Sequence, residues 1–118
     1  MEFTVEFYES ETGKKPVLEF LEELKETNPD DHAAVMAGLN KLKNRQCHRE
    51  PLSKDIGDNL YELRHIGKLN TRVLWFFTKG RRIILVHGIR NKAWKIPVSD
   101  KETALARMKD WMEREATR

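Results

Sequence analysis

Alternating polar and apolar residues open the chain and predict a β-strand. Phe3, Val5 and Phe7 alternate with polar residues over positions 2–7, which is the period of a strand with one buried face. Residues 13–16, with a glycine at one end and a proline at the other, end this pattern. The sequence therefore predicts one short strand, whose apolar face needs a partner strand from a later part of the chain.

Two amphipathic helices joined by a short turn are predicted next. Pro16 fits the first turn of a helix, where its missing N–H breaks no hydrogen bond. Asn28 and Pro29, followed by the acidic pair at 30–31, are typical of an N-cap, a first helical residue and an acidic first turn. Because the joint is short, the two helices should form an antiparallel hairpin. Their apolar stripes are Val17, Phe20, Leu21 and Leu24 in the first helix, and Val35, Leu39 and Leu42 in the second.

The second half of the chain predicts a loop, three strands and a final helix. Residues 44–59 show no hydrophobic period and are read as a loop. Strands follow at about 60–65, 71–78 and 81–88, and a tight turn at Lys79-Gly80 joins the last two. A capping box over 99–102 starts the final helix. The apolar stripe of that helix is Leu105, Met108, Trp111 and Met112, and Trp75 and Trp111 are assigned to the core.

The predicted order is β-α-α-β-β-β-α in one domain spanning residues 1–118. This order indicates an α+β fold with a mostly antiparallel sheet, a helical hairpin on one face and a C-terminal helix packed nearby. No apolar run approaches the ~20 residues of a membrane span, and the acidic, alternating N-terminus is unlike a signal peptide. Cys47 is the single cysteine and can form no intramolecular disulfide. We therefore expect a soluble, cytoplasmic domain.

The charge is distributed unevenly along the chain. The formal net charge is +3, yet residues 63–99 contain 9 Lys or Arg and no Asp or Glu. Strands bring these cations close together, because paired strands lie only ~4.8 Å apart. The segment therefore indicates a face for a polyanion. The alternative is that the acidic first half neutralises the same cations in space.

Arginines and lysines at one end of the predicted sheet are the candidates for chemistry. Arg64 and Arg72 flank one turn, so antiparallel pairing should bring them together. Lys92 and Lys95 lie in a basic segment at 90–97 that leaves the last strand. Guanidinium groups grip phosphates and aromatic rings stack on bases. The candidate catalytic residues are Arg64, Arg72, Lys92 and Lys95, and the candidate RNA contacts are Lys68, Arg81, Arg82, Arg90 and Trp94.

A metal or cofactor is not expected. The basic segment offers no carboxylate cage for a two-metal nuclease, the four histidines lack zinc-ligand spacing, and no phosphate-binding glycine loop is present. A nuclease of this kind would use the RNA 2′-hydroxyl as nucleophile, with Arg and Lys stabilising the charge on the phosphorane.

Structural alternatives remain open. Arg72 could make only a cross-strand contact, Lys92 and Lys95 could be ordinary loop lysines, His87 could be a core or supporting residue rather than catalytic, and Trp94 could cover the core.

Several segments in a fixed order resemble one family. They are Leu60–Arg64, Thr71–Phe77, Ile83–Ile89 and Lys92, Lys95 and Pro97. Together they resemble the phage-derived Gp49-like HigB toxins of the RelE/ParE superfamily of type II toxin–antitoxin systems. Asn91, Ala93 and Ile96 depart from the family's Lys-Lys-x-x-Lys-Thr-Pro stretch, which leaves the basic site one cation poorer. By position, Arg64, Arg72, Lys92 and Lys95 correspond to basic residues of the family.

The resemblance implies a microbial-ribonuclease-like (RelE-like) fold and an mRNA interferase that cleaves message in the ribosomal A site. It also implies a helix-turn-helix, HigA-like antitoxin partner, with operator DNA contacted only through that antitoxin. Two other functions stay open on the same scaffold. One is a gyrase poison of the ParE type, and the other is a non-catalytic co-repressor that binds an antitoxin.

Overall fold

A computed structural model describes residues 2–50, 52–65, 71–90 and 95–117. The described residues form an α+β fold with three α-helices and one five-stranded sheet. A short 3₁₀ turn, Arg45–Cys47, follows the second helix. The elements are β1 (Thr4–Phe7), α1 (Pro16–Thr27), α2 (Pro29–Lys41), β2 (Ser53–Gly57), β3 (Leu60–His65), β4 (Thr71–Thr78), β5 (Arg82–Arg90) and α3 (Val98–Ala116).

The sheet has the strand order β1-β5-β4-β3-β2. The first strand joins it as predicted, pairing parallel to β5 with Val5 opposite Ile83. All other neighbours are antiparallel. The most apolar strands, β4 and β5, therefore lie inside the sheet, where both of their faces are covered.

A strand replaces part of the predicted loop at residues 44–59. Residues 53–57 form β2, which pairs with β3 and contains a bulge between Asp55 and Gly57. The prediction was wrong here because β2 is a short edge strand whose charged residues face solvent, so it shows little hydrophobic alternation. Ser53 is its buried member, and its hydroxyl donates to the Cys47 carbonyl at 2.7 Å.

The helical hairpin covers one face of the sheet, and its predicted starts are confirmed. Pro16 and Pro29 lie in the first turns of α1 and α2. The α1 helix lies close against Gly88 of β5, where an added Cβ would lie 2.4 Å from the ring of Phe20. Glycine is therefore required there to let α1 approach. The buried core on this side comprises Val17, Leu21, Leu24, Val35, Leu39, Leu42, Leu63, Val73, Trp75, Ile83 and Leu85.

The last helix, α3, packs on the opposite face of the sheet. The predicted capping box is wrong: α3 begins at Val98 with Pro97 at the N-cap and no side-chain cap. Ser99 therefore lies inside the first turn, where its carbonyl accepts from the Thr103 hydroxyl. Met112 is also wrongly placed in the apolar stripe, because it is 43% exposed. The buried residues on this side are Tyr8, Leu60, Leu74, Phe76, Ile84, Val86, Ile89 and Ala104, with Trp111 partly buried against Phe76.

The β4–β5 turn is one residue longer than predicted. Thr78 pairs with Arg82, so three residues connect the strands. Gly80 and Arg81 both have positive φ, 79° and 58°, and Arg81 therefore belongs to the turn and not to β5. Among the described helices, none is long and apolar enough to cross a membrane.

Candidate functional site

Arg64 and Arg72 lie directly opposite each other on β3 and β4, which confirms the predicted pairing. Side chains opposite each other in an antiparallel pair lie on the same face with Cβ atoms ~5 Å apart. Two like charges at that distance repel unless an anion lies between them. The anion is Glu62, two residues before Arg64 on the same strand face.

The Glu62 carboxylate lies against both guanidinium groups. Its Oε1 is 3.2 Å from Arg64 Nε, and its Oε2 is 3.6 Å from Arg72 Nε. The side chains of Glu62 and Arg72 are each 5% exposed, whereas that of Arg64 is 20% exposed. The cluster carries a net charge of about +1 when all three groups are ionised. Arg64 is its accessible member.

Glu62 corrects the expectation that the basic end of the sheet contains no carboxylate. It stands one position before the acid-free segment 63–99, so a count of charges along the chain leaves it out. Strand periodicity is the signal that finds it, because residues 62 and 64 share one face. Glu62 therefore belongs to the candidate site.

A buried hydrogen bond fixes the start of β4 beside Arg72. The Thr71 hydroxyl donates to Asp31 Oδ2, and both residues are buried. Asp31 thus ties the first turn of α2 to the strand that carries Arg72, in addition to its expected place at a helix N-terminus. The backbone of Arg72 is held from the hairpin side of the sheet.

His87 anchors α3 on the face that carries Arg72. Arg107 Nη1 lies 3.0 Å from His87 Nδ1, and His87 Nε2 lies 2.7 Å from Asp100 Oδ1. Because a guanidinium only donates, Nδ1 accepts and Nε2 donates its proton to Asp100. Burial lowers the pKa of Arg107. Both ring nitrogens are engaged, so the geometry favours a supporting role for His87.

Arg90 lies at the Arg72 end of the sheet, and Lys95 follows it along the chain. Arg90 is opposite Thr71, and its guanidinium contacts the Thr27 hydroxyl at 3.3 Å on the hairpin side, the face opposite Arg72. Lys95 is exposed, five residues after Arg90 and three before α3. Five residues span at most about 17 Å, so the backbone of Lys95 lies within that distance of Arg90.

Arg81 and Arg82 lie at the other end of the sheet and are not part of the Arg64–Arg72 cluster. Seven residues separate Arg82 from Ile89, the partner of Arg72, which is about 23 Å along a strand. Arg82 is also occupied: Nε and Nη2 donate to Glu6 at 2.6 and 2.8 Å, and the guanidinium lies 5.2 Å from the Trp111 ring centroid. The hydrogen bond from Arg82 lowers the pKa of Glu6.

Neutralisation in space, the alternative to a polyanion face, therefore applies to part of the basic segment. Glu62 faces Arg64 and Arg72, and Glu6 pairs with Arg82. Arg81, Arg90 and Lys95 are exposed. Three predicted site residues, Lys68, Lys92 and Trp94, lie outside the described residues. Over the ranges that are described, no group of three side chains could hold a metal ion.

Comparison with known proteins identifies a family. The family model "Phage derived protein Gp49-like (DUF891)" matches residues 22–109, which include α2, all of β2–β5 and the start and middle of α3. No curated protein matches the chain. Because the match covers well over half of the sequence and every described residue of the Glu62–Arg64–Arg72 cluster, the chain belongs to the phage-derived Gp49-like family.

Proposed function

We propose that this chain is the toxin of a type II toxin–antitoxin system and cleaves messenger RNA in the ribosomal A site. The fold we assign is RelE-like, within the microbial-ribonuclease-like folds. The observation that carries the proposal is the Arg64–Arg72 pair, two guanidinium groups held side by side by one buried carboxylate. Membership of the Gp49-like family, whose HigB members the sequence resembles, supports it.

The proposed reaction uses the RNA's own 2′-hydroxyl. The 2′-hydroxyl loses its proton as its oxygen attacks the adjacent phosphorus, the bond to the 5′-oxygen breaks, and that oxygen takes up a proton. The products are a 2′,3′-cyclic phosphate and a 5′-hydroxyl. Negative charge grows on the phosphorane oxygens, and fixed cations stabilise it most effectively away from bulk water. Arg64, the more exposed arginine, is proposed to contact the phosphate. Arg72 contributes its charge from the buried side of the cluster.

Glu62 has a positioning role in this proposal. Without it, Arg64 and Arg72 would repel each other across the strand pair, and their long side chains would adopt many conformations. With it, each guanidinium has a fixed charged neighbour. Lys95, and Lys92 beyond the described residues, are proposed as additional phosphate contacts and as candidates for proton transfer to the 5′-oxygen.

We further propose a helix-turn-helix, HigA-like antitoxin as the partner, with operator DNA bound only through it. The exposed cations Arg90 and Lys95 support an acidic partner surface, since opposite charge steers and orients association. Size-exclusion chromatography with the product of the neighbouring gene tests this. Co-elution at micromolar concentration is the expected result, and separate elution contradicts the proposal.

Primer extension on a reporter message after brief induction of this chain alone tests the main activity. Cuts in register with codons are the expected result. Growth arrest with intact message would instead indicate the gyrase poison of the ParE branch. Normal growth with intact message would indicate a non-catalytic co-repressor.

A further inference from the structure

A second basic surface lies on the hairpin side of the sheet, at the end away from Arg72. It is an open groove of about 900 Å³ between the chain after α2 and the ends of β3 and β4. Arg72 and Thr78 stand six residues apart on β4, about 20 Å at strand spacing. Tyr61, which lines the groove, directly precedes Glu62 on β3, but successive strand side chains point to opposite faces. The groove and the Glu62–Arg64–Arg72 cluster therefore lie on different faces of the sheet. We call it the arginine–aromatic groove.

Aromatic rings form the floor of this groove. Phe3, His48, Tyr61 and Phe77 line it, and each of them is partly exposed. His48 contacts Phe3 and Phe77 with ring centroids 4.7 and 5.1 Å apart. Tyr61 stacks on the buried Trp75 at an interplanar angle of 17°. The lining rings pack edge to face, at 84° between Phe3 and His48, 62° between His48 and Phe77 and 72° between Tyr61 and Phe77, and together form one contiguous aromatic floor.

Three arginines form the rim. Arg45, Arg49 and Arg81 line the groove and are exposed. Within the described part of the chain, their guanidinium groups make no ion pair, unlike those of Arg64, Arg72 and Arg82. The backbone that carries Arg45 and Arg49 is held by hydrogen bonds. Asn44 Oδ1 accepts from the Gln46 N–H at 3.0 Å, and the Arg49 carbonyl accepts from the Ser53 N–H at 3.0 Å.

The types of residue that line the groove favour one class of ligand. None of its ten lining residues is a carboxylate, and none is Leu, Ile, Val or Met. An amphipathic peptide helix anchors aliphatic side chains in a hydrophobic groove, and this floor offers only rings. Single-stranded nucleic acid needs stacking rings for its bases and cations for its phosphates. Amides from Asn44 and Gln46 add donors and acceptors for base edges.

We infer that the arginine–aromatic groove binds a single-stranded RNA segment, with bases on the rings and phosphates on Arg45, Arg49 and Arg81. This goes beyond the proposed cleavage and does not depend on it. An RNA held here lies on the other face of the sheet from the Arg64–Arg72 pair, so the groove gives affinity for RNA without taking part in the reaction.

The test measures fluorescence anisotropy of a labelled 12-nucleotide 2′-O-methyl RNA, which cannot be cleaved because its 2′-oxygen is blocked. All proteins carry Arg64→Gln, which removes the accessible arginine of the cleavage site. The groove variant adds Arg45→Gln, Arg49→Gln and Arg81→Gln. The charge-matched control adds Lys14→Gln, Lys25→Gln and Lys109→Gln, which are exposed outside the groove.

The groove variant should bind RNA at least tenfold more weakly than the control at 0.1 M salt. The slope of log binding constant against log salt concentration should be smaller in magnitude by about 2 than that of the control, because three phosphate contacts of about 0.7 each are lost. Phe77→Leu should weaken binding about fivefold or more through lost stacking, with the slope unchanged. Equal losses in groove variant and control overturn the inference. The inference is also overturned if polyglutamate displaces the RNA and the Phe77→Leu variant binds RNA as tightly as the unsubstituted protein does. That result would indicate that the groove binds an acidic polypeptide. Failure of message cleavage would leave these binding results unaffected.

Discussion

Arg64 and Arg72 lie opposite each other across β3 and β4, and the carboxylate of Glu62 approaches the Nε atoms of both, at 3.2 and 3.6 Å. This arrangement affects both the stability of the fold and the orientation of the two guanidinium groups. Burial of charge is unfavourable unless the charge is paired, and the same pairing holds the two guanidinium groups side by side. In the proposed function, the arginines are therefore oriented for a phosphate before RNA binds.

Glu62→Gln should lower the free energy of unfolding by about 3 kcal/mol, because it removes the charge that compensates a buried arginine. Urea unfolding followed by circular dichroism measures this. Adding Arg72→Gln should restore part of the loss, with a coupling of about 0.5–3 kcal/mol. Glu22→Gln, an exposed residue on α1, is the control and should change little. Additive effects of Glu62→Gln and Arg72→Gln would contradict the pairing.

Gly88→Ala should destabilise the fold by about 1–3 kcal/mol, because its Cβ would meet the Phe20 ring at 2.4 Å. In a Phe20→Leu background the cost should shrink, since the smaller side chain leaves room. Gly38→Ala is the matched control: its Cβ would lie 3.3 Å from the end of the Leu63 side chain, and alanine favours a helix interior. A melting temperature that is lower for Gly38→Ala than for Gly88→Ala would show that the contact between α1 and Gly88 is misassigned.

Acid should weaken the fold through two carboxylates. Hydrogen bonds from Arg82 lower the pKa of Glu6, and hydrogen bonds from Tyr8 and then Arg114 lower the pKa of Asp110. A lowered folded-state pKa gives stability that is present above the unfolded-state pKa and is lost as pH falls through the folded-state value. The melting temperature should therefore decline as pH falls from ~5 to ~3.

The double variant Glu6→Gln, Asp110→Asn should show a shallower decline over the same pH range, starting from a lower melting temperature at pH 7. Glu113→Gln, an exposed carboxylate on α3, serves as the control and should keep the wild-type profile. Parallel profiles for the double variant and the wild type would mean that these two groups do not carry the acid sensitivity.

Local patterns predicted much of the fold. Pro16 and Pro29 marked the helix starts because backbone chemistry at a helix N-terminus is local. Arg64 and Arg72 could be paired because only residues 66–70 separate their strands in the sequence. Ser53–Gly57 escaped detection because an edge strand with one buried serine has little hydrophobic signal.

The site was harder to predict because it depends on contacts distant in sequence. Glu6 reaches Arg82 and Asp31 reaches Thr71 only after the sheet and hairpin have formed. Position along the basic segment therefore did not show that Arg82 pairs with Glu6 at one end of the sheet, whereas Arg64 and Arg72 share Glu62 at the other. The count of charges along the chain predicted a face for a polyanion. The strand register shows which of the basic residues share one end of the sheet.

Message cleavage by charge variants shows whether the Arg64–Arg72 end of the sheet carries the proposed activity. Message cleavage is measured by primer extension in a reconstituted translation system, for Arg64→Gln, Arg72→Gln, Lys95→Gln and Arg82→Gln, each verified as folded by circular dichroism. We predict that the first two lose at least a hundredfold in rate, as removal of one transition-state donor typically does, and that Lys95→Gln is also slowed. Arg82→Gln, which lies at the far end and is paired with Glu6, should cleave at the wild-type rate. Full activity in Arg64→Gln and Arg72→Gln, or loss confined to Arg82→Gln, would mean that the Arg64–Arg72 pair does not carry the cleavage.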